Sequence, residues 1–142
     1  MYLDANIWIY ALEPISDYSQ PLATLFEADD AGSLTLVTSE LSLAEILVRP
    51  IKKANIFEQE TYAKAITSTD SLIVVPVNRS ILIEAAATRA NTKLKLPDAI
   101  HAASAIATGC TTFLTNDKQF RTVEDLHTLL ISQVLTASDS DE

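Results

Sequence analysis

The stretch MYLDANIWIYAL, residues 1–12, joins a short β-rich run to a helical pattern, with one acidic residue at the junction. We predict a strand over Met1–Asp4 and a helix over Ala5–Leu12. Further β-rich runs alternate with helical patterns along the rest of the chain. Such alternation is typical of an α/β domain, in which right-handed crossovers place helices on both faces of a parallel sheet. We therefore expect a single α/β domain with a mostly parallel central sheet of about five strands.

The remaining elements follow from the positions of apolar runs, caps and prolines. Further strands are predicted over Ser33–Val37, Leu72–Val77, Thr111–Thr115 and Leu126–Ile131. Further helices are predicted over Ser16–Ala31, Glu40–Val48 and Glu58–Ile66, from Asn78 or Ser80 to Asn91, and from about Pro97 to Gly109. Pro50 is expected to end or kink its helix, because proline lacks the backbone donor. The domain is expected to span residues 1–132, followed by an acidic, disordered tail over residues 133–142.

Composition excludes several classes of protein. The chain has 142 residues, of which 48% are hydrophobic and 20% charged, so it is long and apolar enough to bury a core. The two glycines, Gly32 and Gly109, leave no glycine-rich phosphate loop and argue against an all-β fold. The single cysteine, Cys110, excludes an intrachain disulfide and a multi-cysteine zinc site, and it suits a reducing compartment.

Charge and hydropathy bear on location. The net charge is −9, which argues against a protein that binds membrane surfaces. No apolar run approaches the length of about 18–20 residues that a membrane span needs. The N-terminal stretch lacks the basic start of a signal peptide. We expect a cytoplasmic protein without a membrane association.

Four acidic residues stand out by their placement relative to the predicted strands and helices. Asp4 and Asp117 follow strands, Asp98 lies in the first turn of a helix, and Glu45 interrupts an apolar helix. Each has a plain structural role open to it: a helix N-cap, a turn residue, a favourable partner of the helix dipole, or a solvent-facing acid. Together they favour one site, because parallel strands end at a common edge. Crowded carboxylates repel one another, and a hard cation such as Mg²⁺ or Mn²⁺ relieves that repulsion.

The two histidines do not suggest a different metal site. The chain contains no HExxH motif and no cysteine–histidine set with zinc spacing. We expect His101, one helical turn after Asp98, to be a packed or hydrogen-bonded helix residue. We expect His127 to be structural.

Four segments, in this order and spacing, resemble the PIN domain family, and most closely its VapC-type toxin ribonucleases. They are LDANIWIYAL at residues 3–12, SELSLAEILVRP at 39–50, LPDAIHAASAIATG at 96–109 and FLTNDKQF at 113–120. The resemblance extends from Leu3 to about Leu130.

The resemblance implies a Mg²⁺- or Mn²⁺-dependent endoribonuclease that hydrolyses phosphodiester bonds. The family's four acids correspond to Asp4, Glu45, Asp98 and Asp117, with Asn6, Thr115 and Asn116 as supporting residues. The three aspartates would be metal ligands, whereas Glu45 would be a ligand or would orient the attacking water. Glu40 competes for the second position, but Glu45 occupies the family's place. The expected substrate is single-stranded or looped RNA, whose splayed backbone can reach a narrow acidic pocket.

The basic residues suggest where RNA would bind. Seven of the ten Lys and Arg residues lie within eight positions of a proposed site acid. We predict that they form a basic rim around the acidic pocket, although they also suit ordinary solvated loops. They are Arg49, Lys52, Lys53, Lys93, Lys95, Lys118 and Arg121.

The resemblance also implies a small antitoxin as a protein partner. The mean hydropathy of +0.18 suggests that apolar surface stays uncovered after folding, which would suit a homodimer face or an antitoxin groove, and Tyr10–Phe26 and Glu58–Ile66 are the candidate regions. Three alternatives stay open: a non-catalytic PIN-fold binding or scaffold module, an RNA-processing PIN nuclease with no antitoxin, and a DNA flap-type nuclease. The last usually needs more acids and added helices than 142 residues provide.

Overall fold

A computed structural model describes residues 1–13, 17–32 and 34–134. The strands are β1 (Tyr2–Leu3), β2 (Leu36–Ser39), β3 (Leu72–Val75), β4 (Thr112–Thr115) and β5 (His127–Leu130). The helices are α1 (Ala5–Leu12), α2 (Ser19–Asp30), α3 (Glu40–Lys52), α4 (Ile56–Ala65), α5 (Arg79–Asn91) and α6 (Leu96–Ala107), with a 3₁₀ helix over Lys118–Thr122. Residues 131–134 are also helical, and the tail predicted from residue 133 continues beyond the described residues.

The five strands form one sheet in the order β3-β2-β1-β4-β5, and every pairing is parallel. This confirms the predicted α/β class. The central position of β1 places the first residues of the chain in the middle of the sheet. Parallel pairing also brings the carboxyl ends of all strands to one edge, where ligands bind in open α/β sheets.

Alternating residues of the strands build a core on each face of the sheet. Leu3, Leu36 and Leu114 pack with residues of α1 to α4 in one apolar cluster. On the other face, Tyr2 and Phe113 pack with alanines of α6 in a second cluster. The sheet therefore has helices on both faces, as predicted, and α1 and α6 are held from opposite sides near its carboxyl edge.

Two predicted elements differ from the structure. The second strand was expected over residues 33–37 but is β2, Leu36–Ser39, in register with β3 from Leu36 opposite Leu72. Ser33 lies outside the described residues. Ser39 ends the strand and also caps α3, because its Oγ accepts a hydrogen bond from the backbone N–H of Leu41 at 3.0 Å. The strand and helix are thus joined without a loop, which the local pattern did not indicate.

Pro50 was expected to end or kink its helix, and it does not end it. The helix α3 continues through Pro50 to Lys52. Pro50 is buried, so packing offsets the missing hydrogen bond. Its carbonyl oxygen accepts hydrogen bonds from the backbone N–H of Asn55 at 3.0 Å and from the side chain of Gln59 at 3.3 Å.

Other boundaries move by a few residues. The fourth helix begins at Ile56 rather than Glu58, and the third strand ends at Val75 rather than Val77. Asn78, not Ser80, caps α5, with its Oδ1 accepting from the N–H of Ile81 at 3.0 Å. The second helix begins at Ser19 rather than Ser16, which itself lies outside the described residues. Within the described parts of the chain, no helix has the length and apolar character needed to cross a membrane.

Candidate active site

Asp4 lies at the carboxyl end of the central strand and is almost fully buried. It serves as the N-cap of α1, since its Oδ1 accepts a hydrogen bond from the N–H of Ala5 at 2.8 Å. Its Oδ2 accepts a hydrogen bond from the Thr115 hydroxyl at 2.7 Å. The backbone N–H of Asp4 also donates to the carbonyl of Leu114 at 3.0 Å, which joins β1 to β4 at this point. The carboxylate oxygens are therefore held by the first N–H of α1 and by a side-chain hydroxyl of β4.

Asp117 reaches the same edge from β4. Its backbone N–H donates to the Thr115 hydroxyl at 3.1 Å, and its Oδ1 accepts from the N–H of Gln119 at 2.9 Å. The second bond caps the 3₁₀ helix, so the turn role considered for this residue is present. Thr115 consequently links Asp4 and Asp117. Asn116, which lies between Thr115 and Asp117 in sequence, donates a hydrogen bond to the Tyr10 hydroxyl at 3.1 Å instead.

The side chain of Asn6 lies beside Asp4 and Thr115. Its Nδ2 is 3.4 Å from both Asp4 Oδ2 and Thr115 Oγ1. Its Oδ1 is buried and has no hydrogen-bond partner among the described residues. Unpaired buried acceptors are rare in folded proteins, so this oxygen is a candidate to accept a hydrogen bond from a donor such as an ordered water.

Glu45 approaches the site from α3 and meets a histidine. Its Oε1 is 2.5 Å from His101 Nε2, and the same nitrogen is 3.7 Å from Asp4 Oδ1. The Glu45 side chain is 35% exposed, whereas His101 is fully buried. Glu40, the competing acid, is exposed in the first turn of α3. Of the two, Glu45 is the one that the structure brings to Asp4.

Asp98 lies in the first turn of α6 and is half-buried. Burial raises the pKa of its carboxyl to about 6, and the charges of Asp4, Asp117 and Glu45 also raise that pKa, whereas His101 opposes them. All four predicted acids are therefore close enough to interact electrostatically, although they come from four separate segments of the chain.

The buried groups in the site also have shifted pKa values. Burial raises the pKa of Asp4, against the opposing effects of His101 and the hydrogen bonds from Thr115 and Ala5. For His101, burial lowers the pKa, but its hydrogen bond with Glu45 and the charges of Asp4, Glu45 and Asp98 outweigh burial, so the net shift is upward. The site thus has an excess of negative charge, only partly balanced by one imidazole.

The donor set fits a hard divalent cation. The four acids supply only oxygen ligands, which Mg²⁺ and Mn²⁺ prefer, and the free Oδ1 of Asn6 suits an ion that keeps several waters. Among the described residues, however, no group of three or more His, Cys, Asp and Glu side chains is arranged so that it could hold a metal ion. The acids are neighbours in this structure without converging on one point.

The seven basic residues of the predicted rim are all exposed. Arg49 and Lys53 line a cleft of about 540 Å³ together with Glu45, so these two lie beside the site. The same cleft has an apolar wall that includes Phe57, which is 80% exposed. The relation of the other five basic residues to the site remains a prediction.

The sequence did not single out Tyr2 as part of this site, and it assigned His101 a packed or hydrogen-bonded role. Tyr2 is fully buried, and its hydroxyl lies 2.7 Å from His101 Nδ1. His101 is hydrogen-bonded as expected, but its partner is a site acid. A histidine one helical turn after Asp98, on the same helix face, was the available signal.

The family comparison agrees with this geometry. The sequence matches the PIN domain model over residues 1–126, and the chain belongs to that family. No curated protein sequence matches the chain.

Several solved structures share the fold. A toxin–antitoxin complex from Klebsiella pneumoniae is 23% identical, with a TM-score of 0.67 and coverage of 89% of this chain and 95% of that one. VapBC2 from Rickettsia felis, bound to a promoter DNA fragment, is 21% identical, with a TM-score of 0.69 and coverages of 91% and 96%. VapC20 from Mycobacterium tuberculosis, a toxin that cleaves the sarcin–ricin loop, is 15% identical, with a TM-score of 0.71 and coverages of 87% and 94%.

Proposed function

We propose that this chain is a metal-dependent endoribonuclease of the VapC type, the toxin of a toxin–antitoxin pair, acting in the cytoplasm. The observation that carries the proposal is the electrostatic coupling of four acids at the carboxyl edge of the sheet. Asp98 has a pKa of about 6 because it is partly buried and faces Asp4, Asp117 and Glu45. Clustered carboxyls with perturbed pKa values are a mark of functional sites.

Asp4, Glu45, Asp98 and Asp117 would hold Mg²⁺ or Mn²⁺. When bound, the ion supplies Lewis-acid stabilisation of phosphate charge and a water of lowered pKa. Asp4 is held in place by Ala5 and Thr115, so it offers a fixed carboxylate at the base of the site. Glu45 is partly exposed, and it would be a ligand of the ion or would orient the attacking water. Asn6 places its free Oδ1 beside Asp4, where it accepts a hydrogen bond from water.

RNA would enter along the cleft that Glu45 shares with Arg49 and Lys53. The two cations contact the phosphate backbone, and the exposed Phe57 offers a face for a base to stack on. Because phosphate contacts release counterions, binding is expected to weaken as the salt concentration rises. Splayed, single-stranded or looped RNA reaches the half-buried acids more easily than a duplex does.

A small antitoxin is the proposed protein partner. Two clefts, of about 540 and 370 Å³, lie along α1 to α4, and both are lined by residues of the regions expected to bind a partner. Phe57, which lines the larger one, is exposed, and so are the apolar residues Val48 and Ile51 of α3 and Ile56 of α4. Toxin–antitoxin complexes among the similar structures support this partner. A homodimer also belongs to the proposal, and Leu82 and Ile83 of α5 provide exposed apolar surface elsewhere.

The test is cleavage of labelled RNA with Mn²⁺ or Mg²⁺, with EDTA, and with two matched variants. Glu45→Gln should lower the cleavage rate by at least about 100-fold, because loss of a site acid exceeds the usual 10- to 100-fold effect of residues behind metal ligands. Glu40→Gln, five residues earlier on the same helix, should cleave as the wild type does. Asp98→Asn should also abolish cleavage.

Cleavage that survives EDTA or Asp98→Asn would contradict a carboxylate-dependent nuclease. Equal loss in Glu40→Gln and Glu45→Gln would show that the second acid was misassigned. A folded wild type that binds no Mn²⁺ and cuts none of a varied set of RNAs would favour a non-catalytic module.

A further inference from the structure

A buried hydrogen-bond chain runs from the sheet to the proposed site through Tyr2, His101 and Glu45. The Tyr2 hydroxyl is 2.7 Å from His101 Nδ1, and His101 Nε2 is 2.5 Å from Glu45 Oε1. The three residues come from β1, α6 and α3, so the chain connects elements that are distant in sequence.

The tyrosine at the start of this chain is rigidly held. Its ring stacks on Phe113 with centroids 5.0 Å apart, and it meets the imidazole edge-on at 5.8 Å. Tyr2 and His101 are both fully buried. The imidazole ring therefore cannot rotate without breaking its bond to Tyr2 and disturbing the packed aromatic core.

The polarity of the bond to Glu45 does not depend on the protonation state of the imidazole. In the neutral ring that accepts a hydrogen bond from the Tyr2 hydroxyl at Nδ1, the ring hydrogen is on Nε2. In the imidazolium both nitrogens carry hydrogens. In either form Nε2–H donates to the Glu45 carboxylate.

Glu45 needs such a partner because the end of its side chain is partly exposed. A glutamate on a helix surface samples several rotamers, and many of them point into solvent. The bond from His101 occupies Oε1 and holds the carboxylate beside Asp4, while Oε2 stays available. Burying a histidine in an otherwise apolar part of α6 is costly unless its ring nitrogens are hydrogen-bonded, and here both of them are.

We propose that His101, fixed by Tyr2, is a positioning residue that holds the Glu45 carboxylate at the edge of the site. This inference rests on the proposed nuclease function. His101 acts through Glu45 and touches neither RNA nor the reacting water. Tyr2 acts one step further back, by setting the orientation of the imidazole.

The test compares His101→Leu, which removes the donor at similar volume, with His101→Gln, whose amide can donate from a similar place. His127→Leu makes the same chemical change at an exposed position of β5. In His101→Leu, at least one of two quantities should fall about 10- to 100-fold: Mn²⁺ affinity, measured by calorimetry without RNA, or kcat. KM for RNA should change little. His101→Gln should recover most of the loss, and His127→Leu should match the wild type.

Tyr2→Phe is the milder variant, since it removes one hydroxyl from the chain. It should shift Mn²⁺ affinity or kcat in the same direction by a few-fold. Nitrogen-15 NMR of the metal-free protein supplies a readout that is independent of activity. The Nε2 signal of His101 should respond to Glu45→Gln, and the Nδ1 signal should respond to Tyr2→Phe.

The outcomes separate this inference from the proposed function. If His101→Leu folds and matches the wild type in Mn²⁺ affinity and kcat, while Asp98→Asn loses cleavage, the positioning role is wrong and the nuclease stands. Loss of thermal stability alone, without the other effects, would likewise leave His101 a core residue. If the wild type neither binds Mn²⁺ nor cleaves RNA, the proposed function fails, and this inference fails with it.

Discussion

The proposed site has two parts that differ in how they are held. Its floor consists of the buried residues Tyr2, Asp4, His101, Phe113 and Thr115, which are locked by strand pairing, aromatic stacking and hydrogen bonds. Its acidic rim, as distinct from the predicted basic rim, consists of the half-buried acids Glu45, Asp98 and Asp117. Glu45 lies in the middle of a helix, Asp98 lies in the first turn of another, and Asp117 lies in a turn.

This difference indicates a division of labour between folding and chemistry. The floor gains its geometry from contacts that also stabilise the fold, so changes there should cost stability. The rim gathers like charges that raise one another's pKa, so changes there should cost function and not stability. Functional sites commonly carry such local destabilisation, which the rest of the fold offsets.

The largest change in the free energy of unfolding is expected in the floor, at Phe113. Its ring is fully buried between Tyr2 and Phe120, with centroids at 5.0 and 4.4 Å. Phe113→Ala should lower the free energy of unfolding by about 3–5 kcal/mol, because it removes a large buried ring and leaves a cavity. Phe57→Ala, at a residue 80% exposed, should change it by less than about 0.5 kcal/mol. Urea unfolding followed by circular dichroism measures both, and equal losses would contradict the distinction.

A smaller effect is expected at Thr115, whose hydroxyl donates to Asp4 and accepts from the backbone of Asp117. Thr115→Val keeps the shape but removes both bonds, so it should cost about 1.5–3 kcal/mol, the range for bonds to charged groups. Thr128 on the adjacent strand β5 is the matched control. Its Oγ1 is buried with no partner among the described residues, so Thr128→Val should be neutral or stabilising. The two variants should therefore differ in urea midpoint, and the same midpoint would count against the assigned network.

The smallest and opposite effect is expected in the rim, at Asp98. Its pKa is about 6 in the folded protein, against 3.8 for an unperturbed aspartate, so folding disfavours the charged form. The contribution of this carboxyl to stability is therefore full below its unfolded pKa and is lost as the pH rises through about 6. Asp98 is half-exposed, and solvent screening limits the loss to about 1 kcal/mol.

Asp98→Asn should accordingly stabilise the metal-free protein at neutral pH by about 1 kcal/mol while it abolishes cleavage. Urea unfolding in EDTA, from about pH 4 to about pH 7, should show wild type and variant diverging across this window. The pKa values of Asp4 and His101 are also raised, and the Asp98 charge contributes to the shift of His101, so the difference between the two curves reports Asp98 together with its coupling to that imidazole. Added Mn²⁺ should stabilise the wild type and leave the variant unchanged. A variant that is less stable than the wild type at neutral pH would reverse the assignment of Asp98 to the rim.

Much of the fold was readable from the sequence because its signals are local. The helix α1 was placed without error, from a strand that ends at an acid and a proline that follows. The strands β3, β4 and β5 were located within two residues, because short apolar runs between turn residues mark buried strands. The alternation of strands and helices fixed the α/β class and, with it, the edge of the sheet where the acids lie.

The differences arise where long-range contacts overrode local signals. The register of β2 is set by its pairing with β1 and β3, which begin far away in the chain. The helix α3 passes through Pro50 because that residue is buried against its neighbours. Neither the register of β2 nor the burial of Pro50 can be inferred from the sequence immediately around it.

For the site, the sequence by itself determined which acids were candidates and which edge of the sheet they would share. Parallel strands end at a common edge of the sheet, so the sequence alone placed Asp4 and Asp117, which follow strands, at that edge. The tertiary structure decided that Glu45, not Glu40, faces Asp4, and that His101 joins Glu45 to Tyr2. These contacts span 56 and 99 positions along the chain, and they depend on how α3 and α6 pack against the sheet. Helix rotation and packing are set by the whole core, so only the folded molecule specifies them.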